Sequence, residues 1–167
     1  HVQLTRAELK AQVMQLAGWM QAAGIGKGDR VAAYIPNVPE AIIAMLATAT
    51  LGGIFSSCSP DFGLGGVSDR FGQIEPKLLI ACDGYHYAGK TFDRMAILRD
   101  LAAALPSVTH MLVIPLLDPA PDLSGLPQPA LFDAALQEAT PVNSFTPVNF
   151  NDPLYILYSS GTTGAPK

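Results

Sequence analysis

The sequence predicts an α/β fold: a mostly parallel sheet flanked by helices. Three observations carry this. Segments of helical period alternate with short apolar runs of four to six residues that show no inside-outside alternation, as expected of strands covered on both faces. Glycine and proline punctuate nearly every boundary between them. Hydrophobic residues make up 49% of the 167 residues and charged residues only 14%, against a usual charged share of about 25%, so the chain has much surface to bury and is not a disordered segment.

Each element follows from local chemistry. Thr5 and Glu8 have the spacing of a capping box, and Leu9, Val13, Leu16, Ala17 and Met20 recur on one face behind it, which predicts a helix from about residue 5 to Ala23. Gly24 suits the left-handed position after that helix, and Arg30 to Ile35 form an apolar run ending at Pro36, read as a parallel strand. Asn37 and Glu40 suggest a second capping box around Pro39 for a helix to about Leu51, and Gly52-Gly53 leads into a strand from Ile54 to Ser57.

Val67, Phe71 and Ile74 mark a short amphipathic helix, and Leu78 to Ala81 another strand, with Asp83-Gly84 expected to turn the chain. Thr91 is the expected cap of a helix carrying Phe92, Met95, Leu98, Leu101, Ala102 and Leu105, stopped by Pro106 before a strand from Thr109 to Ile114. Beyond Pro115 the character shifts. Residues 101–167 hold ten of the 14 prolines and, before Lys167, no Lys or Arg. The organisation read from this is a βα-repeating part over 1–114 and a proline-rich surface crossing over 115–152 with one short helix near Ala130 to Glu138. A strand from Pro153 to Tyr158 and a final loop to Lys167 follow.

Charge and composition exclude several classes of function. Ten Lys and Arg against 14 Asp and Glu give a formal net charge of −4 and no basic stripe, so nucleic acid is not an expected partner. The uncharged stretch from Ala41 to Pro60 loses its apolar character near Phe55, short of the ~20 residues a membrane span needs. No secretory leader pattern is visible, and Cys58 and Cys82 have neither disulfide-framework nor metal spacing, which suits a cytoplasmic protein with reduced thiols. Both ends, His1 and Lys167, look cut from a longer chain.

The candidate chemistry is sparse. Gly24-Ile-Gly26-Lys-Gly28-Asp29 has the glycines of a dinucleotide loop but follows a helix and precedes a strand, the reverse of what that loop requires. His1, His86 and His110 are scattered, and no basic residue near Cys58 in sequence would lower its pKa. Ser159-Ser160-Gly161-Thr162-Thr163-Gly164-Ala165-Pro166-Lys167 differs, because hydroxyls, glycines and a lysine follow a buried strand directly. Glycines let backbone N–H groups approach phosphate oxygens, hydroxyls add donors, and lysine adds a point charge. A flexible Ser/Gly linker has the same composition. The Walker A pattern is not met, because Pro166 stands where its second glycine would be.

Ile156 to Lys167 resembles the phosphate-binding signature of the adenylate-forming enzymes, which include acyl-CoA synthetases, luciferases and peptide-synthetase adenylation domains. Leu4 to Leu9, the turn from Gly26 to Ala32, and Pro36 to Glu40 are similar to that superfamily in the same order. Phe55 to Gly63, Asp69 to Lys77, and Tyr87 to Lys90 resemble the acetoacetate-activating acyl-CoA synthetases within it. The resemblance implies an internal part of the large N-terminal domain of such an enzyme. It implies an AMP-forming ligase acting on ATP with Mg²⁺, acetoacetate or a similar acid, and coenzyme A.

On that resemblance Ser159, Ser160, Gly161, Thr162, Thr163 and Gly164 surround the β- and γ-phosphates and Lys167 adds charge, while adenine, acyl and coenzyme A contacts and the adenylation lysine lie later in the chain. The segment alone is then expected to be inactive, with the remainder of its own chain as its partner. The alternatives are a synthetase for another short- or medium-chain acid, and a non-catalytic nucleotide- or anion-binding fragment.

Overall fold

A computed structural model describes residues 3–159. Six strands form one parallel sheet in the order β7-β6-β3-β1-β2-β8. The first elements are α1 (Arg6–Ala22), β1 (Arg30–Tyr34), α2 (Pro39–Thr50), β2 (Ile54–Cys58), α3 (Leu64–Phe71) and β3 (Leu78–Cys82). A two-stranded antiparallel hairpin, β4 (Gly84–Tyr87) and β5 (Lys90–Asp93), then interrupts the alternation. It is followed by α4 (Met95–Ala104), β6 (His110–Ile114), β7 (Pro129–Leu131), α5 (Phe132–Glu138) and β8 (Tyr155–Ile156).

Consecutive strand residues serve opposite faces, which explains the unalternating apolar runs. Val31, Ala33, Leu78, Ile80, Leu112 and Ile114 pack with Leu16 and Met20 of α1, Ile43 and Ala47 of α2, and Phe132 of α5. Ala32, Tyr34, Leu79, Ala81, Met111 and Val113 pack with Val67 and Phe71 of α3 and Leu98 and Leu101 of α4. Both clusters are buried, and full burial of each large side chain stabilises by about 1.5–3 kcal/mol.

Chain direction reverses around β1. β2 lies on one side of it and β3 on the other, and the helices that lead into them, α2 and α3, cover opposite faces. This is the topological switch at which open α/β sheets bind ligands, beyond the carboxyl ends of the strands.

The first capping box forms as expected: the Glu8 amide donates to Thr5 Oγ1 at 3.2 Å and the Thr5 amide to Glu8 Oε2 at 2.7 Å. Gly24 takes φ 78°. The second box does not form. Val38 is the N-cap of α2 and makes no side-chain cap, because Pro39 occupies the first helical turn and already removes one donor that Asn37 would have served.

Asp83 bends the chain from β3 into β4, but Thr91 caps no helix. Thr91 and Phe92 belong to β5, and the hairpin turns at Ala88-Gly89, both at positive φ (49° and 74°). Asp83 is also drawn inward, where its carboxylate accepts from the amides of Leu116, Leu117 and Asp118 at 2.7–3.1 Å. α4 starts where the Asp93 carboxylate accepts from the Met95 amide at 2.8 Å.

The crossing after Pro115 also contributes a strand the sequence hid, β7, beside β6. β8 is shorter than the expected 153–158 because it pairs only with β2, Phe55 opposite Tyr155 and Ser56 opposite Ile156. Among the described residues no helix is long and apolar enough to cross a membrane.

Candidate functional site

The carboxyl ends of β1, β2, β3 and β8 converge on the loop over residues 59–63, which is held from three directions. Tyr34, at the end of β1, is fully buried, and its hydroxyl lies 2.9 Å from the Pro60 carbonyl and 2.6 Å from the Phe62 carbonyl. Arg94, between β5 and α4, donates through Nε to the Pro60 carbonyl at 2.8 Å and through Nη2 to the Tyr85 hydroxyl at 2.9 Å. Tyr85 in turn donates to Asp61 Oδ1, and the Ser59 hydroxyl to Asp61 Oδ2 at 2.9 Å. The Tyr85 and Phe92 rings stack at 5.2 Å across the hairpin, with the Arg94 guanidinium 5.1 Å from the Tyr85 ring.

These contacts tune the groups they join. The Tyr85 and Ser59 hydroxyls hold the Asp61 carboxyl below its usual range, and burial raises the Tyr85 phenol, helped by its bond to Asp61. Burial pushes Tyr34 up to about 12, so it remains a hydrogen-bond donor. A cleft of about 290 Å³ lies beside this loop, lined by Ile35, Pro36 and Asn37 after β1 and by Ser57, Cys58 and Ser59 at the end of β2.

β8 brings the last described residues to the same edge. Ser56 Oγ donates to the Ile156 carbonyl at 2.9 Å, across the β2–β8 pair. The Tyr158 hydroxyl donates to the Arg70 carbonyl at 2.6 Å, and the Arg70 guanidinium lies 4.3 Å from the Phe62 ring centre. Arg70 thus couples the 59–63 loop to the end of β8. Ser159 follows, exposed at the carboxyl edge. Ser160, Gly161, Thr162, Thr163, Gly164 and Lys167 lie outside the described residues.

The other candidates fall elsewhere. Gly24 to Asp29 lies at the amino edge, where Asp29 accepts from the Gly26 amide at 2.9 Å and pairs with Lys77 at 3.2 Å. Burial pushes the thiols of Cys58 and Cys82 up to about 12, and the Arg70 charge works against this at Cys58 without reversing it. His86 meets Thr91 on the hairpin, and His110 meets the edge of Trp19. Among the described residues no three His, Cys, Asp or Glu side chains gather to hold a metal. Tyr34, Asp61, Tyr85, Arg94 and Arg70 were not legible as a group in the sequence. Apart from Ser59–Asp61, Tyr85–Phe92 and Arg70–Phe62, the contacts described here that join them to their partners span 9 to 88 residues, and no spacing marks them as a group.

The whole chain, residues 1–167, matches the family described as AMP-binding enzyme. The chain belongs to the AMP-binding enzyme family. Among its relatives an acetoacetyl-coenzyme A synthetase of Rhizobium meliloti (strain 1021) is 51% identical over 98% of this chain and 25% of its own length. An acetyl-coenzyme A synthetase 2 of Eremothecium gossypii is 38% identical over 98% of this chain and 24% of its own.

The solved structure of an acetoacetyl-CoA synthetase from Streptomyces lividans superposes with a TM-score of 0.90 at 44% identity, over 99% of this chain and 25% of that one. The chain therefore spans about a quarter of the length of these AMP-binding relatives. Its parallel sheet and flanking helices are those of the matched part of the Streptomyces structure.

Proposed function

We propose that this chain is the phosphate-binding part of an ATP-dependent acid:CoA ligase that activates acetoacetate through an acyl-adenylate, releasing AMP and pyrophosphate. The observation that carries this reading is the delivery of Tyr158 and Ser159 to the carboxyl edge of the sheet, beside a pinned loop, in a chain whose relatives bear that name.

A carboxylate is a poor electrophile, and attack of its oxygen on the α-phosphorus of ATP expels pyrophosphate and gives the carbonyl a leaving group. The thiol of coenzyme A then displaces AMP. In this reading Ser159, Ser160, Gly161, Thr162, Thr163 and Gly164 donate to the β- and γ-phosphates, and Lys167 supplies charge where the departing pyrophosphate accumulates it. Mg²⁺ arrives with ATP as substrate and shields the same oxygens. The β2–β8 pairing and the Tyr158–Arg70 bond anchor the start of that cradle. Coenzyme A and the acid bind to the rest of the longer polypeptide, in the cytoplasm, and the 167-residue segment alone does not turn over.

A second reading, activation of another short- or medium-chain acid, is favoured by the acetyl-coenzyme A synthetase 2 of Eremothecium gossypii, which matches 98% of this chain. The test of the phosphate role is Thr162→Val with Thr163→Val, and separately Lys167→Ala, in the complete parent polypeptide. Acid-dependent ATP/pyrophosphate exchange should fall by about 10²-fold or more, the loss typical of removing a transition-state donor, with the circular dichroism unchanged. Unaltered exchange contradicts the proposal, as does acid-dependent AMP formation by the 167-residue segment.

A further inference from the structure

We propose that the groove between α1 and α2 is a binding site for a single-chain amphiphilic carboxylate, a medium-chain fatty-acid anion, separate from the adenylation site at the carboxyl edge. The groove has a volume of about 340 Å³, within the range of small-molecule sites, which are mostly apolar with a few placed polar groups. Leu9, Met14 and Leu46 line its apolar part, Phe145 from the crossing adds to the lining, and Arg6 and Lys10 stand on the earliest turns of α1.

Two features separate this surface from an ordinary helix pair. From Ala41 to Leu51 the sequence carries no charge, and Ile42, 46% exposed, continues the outward apolar row that Leu46 and Ala49 form at helical spacing. Arg6 and Lys10 are also placed against the interests of α1. They are like charges one turn apart, and Arg6 opens the helix, where its dipole disfavours a cation. Among the described residues no carboxylate pairs with either, since the ion pairs join Lys27 to Asp152, Lys77 to Asp29 and Arg99 to Asp122. A carboxylate held between Arg6 and Lys10, with its alkyl chain along the apolar floor, satisfies both features at once.

The test is calorimetric titration of sodium decanoate into the complete parent polypeptide, saturated with acetoacetate and a non-hydrolysable ATP analogue. Unsubstituted protein is compared with Arg6→Glu/Lys10→Glu and with Leu46→Glu, and decanoate with 1-decanol. One saturable decanoate site is expected, weakened at least tenfold by either variant, with decanol weaker than decanoate in the unsubstituted protein and unaffected by the charge reversal. No saturable site, as results if another part of the parent chain fills the groove, overturns the proposal. So does decanoate binding that both variants leave unchanged, or decanol binding as tightly as decanoate. Arg6 and Lys10 are exposed, so acetoacetate-dependent pyrophosphate exchange should survive their reversal. Absence of that exchange from the unsubstituted parent contradicts the adenylation reading and leaves the decanoate result standing.

Discussion

The carbonyl oxygen of Thr140 fills the place that a Cβ on Gly18 would take. Gly18 is buried in the C-terminal half of α1, and the crossing runs over it on the way to β8, bound by the Val142 amide to the Met14 carbonyl at 3.0 Å and the Thr146 amide to the Thr50 carbonyl at 2.9 Å. Helix propensity favours Gly18→Ala by about 1 kcal/mol, but the obstacle is backbone, and overpacking costs about 1–3 kcal/mol. Net destabilisation is expected in urea unfolding followed by the fluorescence of Trp19, together with a displaced crossing. Gly26→Ala is the control, since nothing lies within 4 Å of its Cβ position, and it should stay within about 0.5 kcal/mol. Equal effects of the two substitutions would refute the account of Gly18.

Tyr34→Phe keeps the buried ring and removes the one donor shared by the Pro60 and Phe62 carbonyls. The Pro60 carbonyl keeps the Arg94 Nε–H, but the Phe62 carbonyl loses its partner, and leaving a buried acceptor unpaired costs about 1–3 kcal/mol. The same unfolding experiment should show that loss, and hydrogen exchange should quicken in the 59–63 loop. A variant as stable as the unsubstituted chain, with unchanged exchange, would show that Tyr34 does not hold the loop.

Acid should loosen the same region. Asp61 is held below its ordinary value of 3.8 by the Tyr85 and Ser59 hydroxyls. A depressed carboxyl contributes stability that is present above the unfolded value and is lost as pH falls through the lower folded value. Stability measured from pH 5 to pH 2 should therefore decline below about 3.8, and Asp61→Asn should flatten part of that decline. An acid limb identical in the two proteins would remove Asp61 from the explanation.

Both cysteines should resist alkylation while the chain is folded. With Cys58 and Cys82 raised to about 12 by burial, almost no thiolate forms at pH 8, and thiolate is the reactive species. Iodoacetamide followed by mass spectrometry should label neither residue in buffer and both in urea. Rapid labelling of Cys58 in the folded chain would mean that the cleft beside it exposes a reactive thiol.

The sheet was legible because its central strands β1, β3 and β6 bury both faces and so lack alternation, and because proline and glycine mark the joins. The hairpin was hidden by Ala88, which stands where a left-handed turn favours glycine or asparagine. β7 was hidden by Pro129 at its start. The hydroxyl- and glycine-rich segment proposed to hold phosphate stood out through its resemblance to a family signature, whereas Tyr34, Tyr85, Arg94 and Arg70 act through tertiary contacts, which leave no periodicity to read.

The most direct measurement of the central claim is ATP/pyrophosphate exchange by the complete parent polypeptide with acetoacetate, acetate, butyrate and no acid. Exchange that requires acetoacetate is the predicted result. Exchange with acetate or butyrate in its place would keep adenylation and overturn the substrate. No exchange with any acid, from a folded parent that binds ATP, would contradict the ligase account.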